Sequence, residues 1–339
     1  MIRNASLTLI LLLFVAPNLA PAADAVRTRK GTLTGTINQI TPQQIVLTRP
    51  GGKKQTIPVN EVVSVRFDGE PSQLSSARNQ ISGGQFAAAL ATLAKLEAEG
   101  SASATVQQEI NYYKAFAAAQ QALSGAGDIQ SAGRNLRSWV EANRNSYHWY
   151  EANELLGDLI VALGRNNLAL SYYDRVQQAP WPNVKMRAQI AKGRAMLASG
   201  QAAEAGKAFA AAEQMAEDSN DPLVARQKQA AKLGAAAALA EAGDYEKAVQ
   251  QAEDVIAVTD PEDVKINAQA YNTLGRCLRK AGRPKEALLA FLHVDLLYFT
   301  DPRAHAEALR NLAELWVKVD QPQRAVEAEQ ILKDRYGKK

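Results

Sequence analysis

The 339-residue sequence has little of what metal sites, disulfide-rich domains and nucleic-acid-binding proteins need. Cys277 is the only cysteine, so no disulfide can form within the chain and no cysteine-based metal cluster can be built. None of the three histidines (His148, His293 and His305) has a second ligand at the His-x-x-x-His type of spacing. Aromatic residues make up only 6%, and 39 basic residues face 35 acidic ones. We therefore expect no metal, no cofactor and no nucleic-acid partner.

The motifs of common catalytic sites are also missing. The sequence has no Gly-x-x-x-x-Gly-Lys-Ser/Thr phosphate loop, no strand-linked Gly-x-Gly-x-x-Gly and no Gly-x-Ser-x-Gly elbow. Cys277 lies in the apolar rhythm of Leu274, Leu278 and Ala281, which is typical of a packed helix face rather than of a nucleophile. We predict that the protein is not an enzyme, with an enzyme accessory or an unrecognised enzyme as an alternative.

The first 23 residues have the composition of a secretory signal. Arg3 provides a basic start, and the apolar stretch 7–16 is about ten residues long, whereas a membrane-spanning helix needs about twenty. Small residues for cleavage follow at Ala20, Ala22 and Ala23, and no cysteine is near enough for lipid attachment. We expect residues 1–23 to be a signal peptide, no transmembrane segment after its cleavage, and a periplasmic or secreted mature protein. An uncleaved anchor is the alternative.

Residues 24–70 have the alternating pattern of short β-strands. Four strands are predicted, at 32–37, 45–48, 55–59 and 62–67. Arg49-Pro50-Gly51-Gly52-Lys53 is a hairpin signal, and Asn60-Glu61 is a short turn. The segment resembles an SH3-like or Sm-like barrel, with its first strand bent between Gly31 and Gly35.

Beyond residue 71 the apolar period changes from 2 to about 3.6, and one pattern recurs seven times. An alanine lies five residues after a turn residue, and an apolar residue lies seven further on. The alanines are Ala89, Ala132, Ala169, Ala205, Ala248, Ala287 and Ala325; the turn residues are Gly84, Gly127, Gly164, Gly200, Gly243, Gly282 and Asp320. A period of 36 to 43 residues predicts a mainly α-helical repeat array over residues 71–339.

The units resemble the tetratricopeptide repeat (TPR). The best matches are 270–294, with Gly275, Ala287 and Phe291, and 155–180. The resemblance implies a TPR-like α-solenoid of about seven helix–turn–helix units. It also implies that the small residue and the alanine bring the two helices of a unit close together, while the aromatic fills the gap to the next unit. The first two units match less well. The layout predicted for this chain, an exported protein with a small β domain before such repeats, resembles that of TPR proteins of bacterial envelopes.

The family binds ligands on the concave face, which the first helix of each unit lines. On this resemblance the candidate peptide-binding residues are Arg194, Asn272, Arg276, Arg279 and Arg310. Arginine can hold a carboxylate with two parallel hydrogen bonds, so an acidic or C-terminal peptide would fit. A solvated helix face with internal ion pairs is the simpler interpretation of the same residues.

The predicted function is a non-enzymatic scaffold or adaptor of the cell envelope that binds an envelope protein or peptide. A binding module for a glycan, peptidoglycan or another non-protein ligand is the alternative. Exposed aromatic side chains in the groove, such as Trp149 and Trp181, would favour it, whereas buried ones would speak against it. The aromatic cluster around His148 is interpreted as a packed linker between units, with a partner-contact patch as the alternative.

Overall fold

The computed structural model describes residues 23–100, 103–215 and 219–337. The predicted signal segment, apart from Ala23, lies outside these residues. The chain begins with an antiparallel sheet in the order β4-β3-β2-β1-β5. Its strands are β1 (Asp24–Thr28), β2 (Gly31–Ile40), β3 (Gln44–Thr48), β4 (Lys54–Pro58) and β5 (Val62–Arg66).

Four of the five strands lie where alternation predicted them, and the first strand was missed. β1 pairs with both β2 and β5, so it holds the sheet together. The predicted hairpin forms, because Arg49 N–H donates to the Lys53 carbonyl at 2.9 Å and Gly51 and Gly52 have positive φ. The turn before β5 is a short 3₁₀ helix, Val59–Glu61.

Seven helix pairs follow, which confirms the predicted TPR-like solenoid. The helices are α1 (Ser72–Ser82), α2 (Phe86–Glu99), α3 (Ala104–Leu123), α4 (Ile129–Ala142), α5 (Trp149–Ala162), α6 (Asn166–Gln177), α7 (Pro182–Ala198), α8 (Ala202–Gln214), α9 (Pro222–Glu241), α10 (Tyr245–Val258), α11 (Val264–Lys280), α12 (Pro284–Leu297), α13 (Pro302–Lys318) and α14 (Pro322–Tyr336). All seven marker alanines are buried. Among the described residues, no helix is both long and apolar enough to cross a membrane.

Glycines in the first helices lie directly under aromatic rings from the second helices. A Cβ on Gly157 would lie 2.4 Å from the Tyr173 ring, and one on Gly275 would lie 2.7 Å from Phe291. The aromatic residue therefore fills the space inside its own pair, rather than only the gap to the next pair. Phe209 does both, because its ring also reaches Gly234 of the next pair.

Two of the connections differ from the others in local detail. The second turn has its positive φ at Gly125 and not at Gly127. Asp260-Pro261 begins a turn instead of a helix, and α11 starts at Val264 after Asp263, whose side chain accepts from Ile266 N–H. The Asp-Pro pairs before α9 and α13 do start helices, since Asp at the N-cap accepts a hydrogen bond from a free backbone N–H and Pro suits the first helical position.

Candidate functional site: a central cavity

The two ends of the helical array come into contact, so the helices surround a cavity that stays open to solvent. Pro302, at the start of α13, packs on the α1–α2 turn: a Cβ on Gly84 would lie 2.3 Å from its Cγ. Arg303 reaches α5, where its guanidinium lies 3.1 Å from the Asp158 carboxylate. The β domain also contacts the array, since Arg29 lies 3.8 Å from Asp221 at the start of α9. These contacts turn an open groove into a ring.

The cavity inside the ring has a volume of about 1270 Å³. All seven odd-numbered helices contribute lining residues, as do β1, β2 and β5. The even-numbered helices lie outside and reach in only through Phe86 and Phe209. Ligand pockets for drug-sized molecules are about 300–1,000 Å³, so this space is suited to a longer ligand.

The charges on the cavity wall are mostly basic, and several of the cations are already paired. Arg187 pairs with Glu154, and Arg276 pairs with Glu307. Four further cations on the wall have no ion-pair partner among residues 23–100, 103–215 and 219–337. They are Arg27, Arg66, Lys265 and Arg310. The wall therefore has positive charge available for an anionic ligand.

The predicted groove residues fall into two groups. Arg194, Asn272, Arg276 and Arg310 line the cavity, whereas Arg279 does not. Arg279 instead forms an exposed ion pair with Glu314 at 2.9 Å.

Among the lining members, Asn272 is buried and donates to the Ala304 carbonyl at 2.9 Å. Arg276 is held by Glu307 and by the Thr273 hydroxyl, and Arg194 lies 3.9 Å from Asp158. Among the described residues, only Arg310 of these candidates has no ion-pair or hydrogen-bond partner. In this arrangement the five residues therefore do not present a joint set of free side chains to a peptide carboxylate. Their role in binding stays a prediction.

Asp158 is the carboxylate that Arg303 and Arg194 contact where the last helix pair meets the third. Burial opposes its ionisation, but Arg303 and Arg194 together with the Tyr173 hydroxyl, which donates at 3.0 Å, hold the pKa of this carboxyl below its usual range. It is therefore ionised at neutral pH and links α5, α7 and α13 at one point.

A buried polar network connects the β domain to the first helix pairs. Arg78 on α1 donates to both carboxylate oxygens of Glu70, at 2.9 Å for one of them, and lies 3.6 Å from Glu109 on α3. Glu109 also accepts from the Tyr147 hydroxyl at 2.7 Å and lies 3.3 Å from the His148 ring. The aromatic segment around His148 is thus a packed linker, and it includes a charge network that its composition did not show.

Burial and the neighbouring charged groups shift the pKa values of this network in opposite directions, and the charged groups together with their hydrogen bonds have the larger effect. Burial opposes protonation of His148, yet the adjacent carboxylates of Glu109 and Glu151 raise its pKa above the usual 6.5. Burial would likewise raise the pKa of Glu109, but His148, Tyr147 and Arg78 lower it. The network is therefore a set of paired charges, in which most buried polar groups have a partner, although the Arg78 Nε has none among the described residues.

Cys277 and two tryptophans bear on the two alternative functions, an enzyme and a glycan-binding module. Cys277 lies in the core of the last helix pairs, where burial raises the pKa of its thiol to about 11. Trp181 lines the cavity but is half-buried, and the Trp149 Nε1 is buried without a hydrogen-bond partner among the described residues. Neither tryptophan is the exposed groove aromatic that would favour a glycan site.

The sequence did not predict the cavity residues that come from the β domain or that form contacts distant in sequence. Arg27 lies on the strand that was not predicted, and Arg66 lies on β5, where the repeat pattern does not apply. Arg303 follows Asp301-Pro302 at the start of α13, and nothing in that local sequence indicates a contact with a residue 145 positions away. No signal in the repeat pattern indicates closure, because closure depends on the sum of small rotations between successive pairs.

Replacing Arg303 with alanine is expected to loosen the ring, because it removes the charged link between the last and the third helix pairs. Small-angle X-ray scattering should show a larger radius of gyration than for the unaltered protein. Arg194→Ala is the matched control: it removes the same charge from the same carboxylate, but between neighbouring pairs. Equal radii for the two variants would show that Arg303 does not hold the ring closed.

No protein-family model matches the sequence, and no curated protein matches it. Solved structures do. A Rap protein complexed with Competence and Sporulation Factor has a TM-score of 0.51 and 15% identity, covering 78% of this chain and 75% of its own. A tetratricopeptide repeat protein from Parabacteroides merdae has a TM-score of 0.47 and 16% identity, covering 78% and 96%. At such low identity the likeness to the Rap protein shows the fold alone, which is a TPR-like helical solenoid.

Proposed function

We propose that the protein is a non-enzymatic scaffold of the cell envelope that binds a protein segment or peptide inside the central cavity. The observation that supports this most is the cavity of about 1270 Å³, lined by all seven first helices and by the β domain. A volume above that of drug-sized pockets suits a polymer better than a single small molecule. The unpaired cations on its wall favour an acidic segment.

The fold of the solved neighbours is compatible with such a role. The Rap protein of similar fold was solved in complex with Competence and Sporulation Factor. We extend ligand binding to this chain as part of the proposal. The small β domain, which we propose to be SH3-like or Sm-like, would then form one wall of the binding site rather than a separate module. The signal-like composition of residues 1–23 supports export to the envelope as part of this proposal.

Site-specific photo-cross-linking tests this proposal in intact cells. A photoreactive amino acid at Gln269, inside the cavity, is compared with one at Leu289, which is exposed on the outer helix α12. We expect a polypeptide adduct from position 269, identified by mass spectrometry, and little or none from position 289. Equal adducts from both positions, or none from position 269, would contradict a cavity-bound ligand.

A further inference from the structure

The sheet has an open edge at β5. Among the described strands, β5 pairs only with β1, and the opposite edge of the sheet is β4. Along an edge strand, alternate residues direct their N–H and C=O groups away from the sheet, where another strand can bind them. A bulge at Val63 interrupts the β1–β5 ladder, so the regular part of the edge is Ser64–Arg66.

This edge faces the cavity. Val62 packs towards the core of the β domain and Ser64 points to the opposite face of the sheet, yet both line the cavity. Side chains on opposite faces of one strand can line the same cavity only if the edge of that strand is turned towards the cavity. On β1, by contrast, only the alternate residues Ala25 and Arg27 line the cavity, as expected for a strand that presents one face. No residue of β4 lines the cavity.

Two unpaired cations flank the edge. Arg66 lies opposite Ala25 and Ser64 lies opposite Arg27 in the register, so Arg27 and Arg66 point to the same face of the sheet. Both line the cavity, and neither has an ion-pair partner within the described part of the chain.

A third cation without an ion-pair partner in the described part of the chain, Lys265 at the start of α11, also lines the cavity. The β1–β2 turn contacts the start of α9 through Arg29 and Asp221. The open edge thus shares the cavity with two arginines of the sheet and a lysine of the array.

Resting on the binding role proposed above, we propose that the ligand is an extended acidic peptide segment that adds to the edge of β5 as a sixth strand. Its backbone pairs with Ser64–Arg66, and carboxylates on its alternate residues contact Arg27 and Arg66. Strand addition uses main-chain hydrogen bonds for affinity and alternate side chains for specificity. Guanidinium groups bind carboxylates with two parallel hydrogen bonds, so acidic side chains on one face of the added strand match this wall.

Fluorescence polarisation with the full chain tests the proposal. The probe is a fluorescein-labelled heptapeptide, Glu-Thr-Glu-Thr-Glu-Thr-Glu, whose carboxylates share one face of a strand. Arg27→Gln with Arg66→Gln is compared with Arg49→Gln with Lys54→Gln, a matched double change on the β3–β4 hairpin outside the cavity. We expect the first double variant to weaken binding roughly tenfold or more, since hydrogen bonds to charged groups are lost. The second should bind as the unaltered protein does.

Two methylated probes test the backbone pairing separately from charge. One bears N-methyl groups on the amides of the glutamates and the other on those of the threonines, with no change in net charge. Because a slip by one residue would turn the glutamates to the wrong face, strand pairing predicts that one methylated probe binds at least roughly tenfold more weakly than the other. Equal affinities for the two would overturn the strand model, as would competition by a sulfated oligosaccharide at the same concentration as the unlabelled peptide.

The result also separates this inference from the proposed function. If position 269 cross-links a polypeptide while the probe fails to bind, or binds equally to both double variants, the inference is wrong and the cavity role stands. If position 269 gives no adduct, the proposed function fails regardless of the probe.

Discussion

Gly234→Ala is expected to lower the free energy of unfolding by about 1–3 kcal/mol, the usual cost of overpacking a core. The added Cβ would lie 2.2 Å from the Phe209 ring, which is fully buried. The ring cannot move away, because it also packs on Gly193 of its own pair, where a Cβ would lie 2.7 Å from it. Urea unfolding followed by circular dichroism measures the effect.

Gly133→Ala is the matched control for this change. Gly133 lies within helix α4, and a Cβ there would meet no atom within 4 Å. Alanine loses less conformational freedom than glycine on entering a helix, so we expect a gain of about 0.5–1 kcal/mol. If Gly234→Ala stabilised the protein as Gly133→Ala should, this result would contradict the close packing of the Phe209 ring on both Gly193 and Gly234. Phe209→Leu combined with Gly234→Ala should recover part of the loss, because the smaller side chain makes room for the methyl group.

These glycines show why the fold could be predicted from the sequence. The contact between two helices of a pair is local, since Gly157 and Tyr173 are only 16 residues apart and the same spacing recurs at Gly275 and Phe291. A local contact repeated along the chain leaves a periodic pattern that can be detected. The position of Ala287 and its six counterparts on the buried face of the second helix follows from the same periodicity.

The candidate site could be predicted only in part, because it depends on contacts that are not periodic. The concave position of Arg276 follows from its place after Gly275, but its partner Glu307 lies 31 residues on, in the next first helix. Pairing between successive helices decides which cations are free, and the repeat pattern carries no information on it. Arg27 was missed because β1 is short and polar at both ends, so Asp24–Thr28 has too few alternating residues to indicate a strand.

The network around Arg78 links these local and distant contacts. Glu70 belongs to the connection between the β domain and α1, Arg78 to α1 and Glu109 to α3, so the β-domain connection and the first helices of the first two pairs share one buried charge cluster. The Arg78 guanidinium also lies 5.1 Å from the centre of the Tyr113 ring, and Tyr113 lines the cavity. The orientation of the β domain, and with it the β5 edge, therefore depends on this cluster.

Arg78→Met is expected to lower the free energy of unfolding by about 3–5 kcal/mol, the range found when one partner of a buried ion pair is removed. The Glu70 and Glu109 side chains are 1% and 4% exposed, so water cannot replace the lost guanidinium. Methionine keeps much of the volume, which makes the loss electrostatic rather than a cavity effect. Urea unfolding of the full chain at neutral pH measures the change.

Two further variants decide whether buried charge is the cause. Arg279→Met removes an arginine whose pair with Glu314 is exposed, and exposed pairs contribute little, so its stability should stay close to that of the unaltered protein. Glu70→Gln added to Arg78→Met removes the charge of the carboxylate that loses both of its hydrogen bonds from Arg78, and should restore part of the lost stability. If the double variant were as unstable as Arg78→Met alone, packing by the arginine stem rather than charge would explain the loss. The cluster would then orient the β domain by shape and not by its ion pairs.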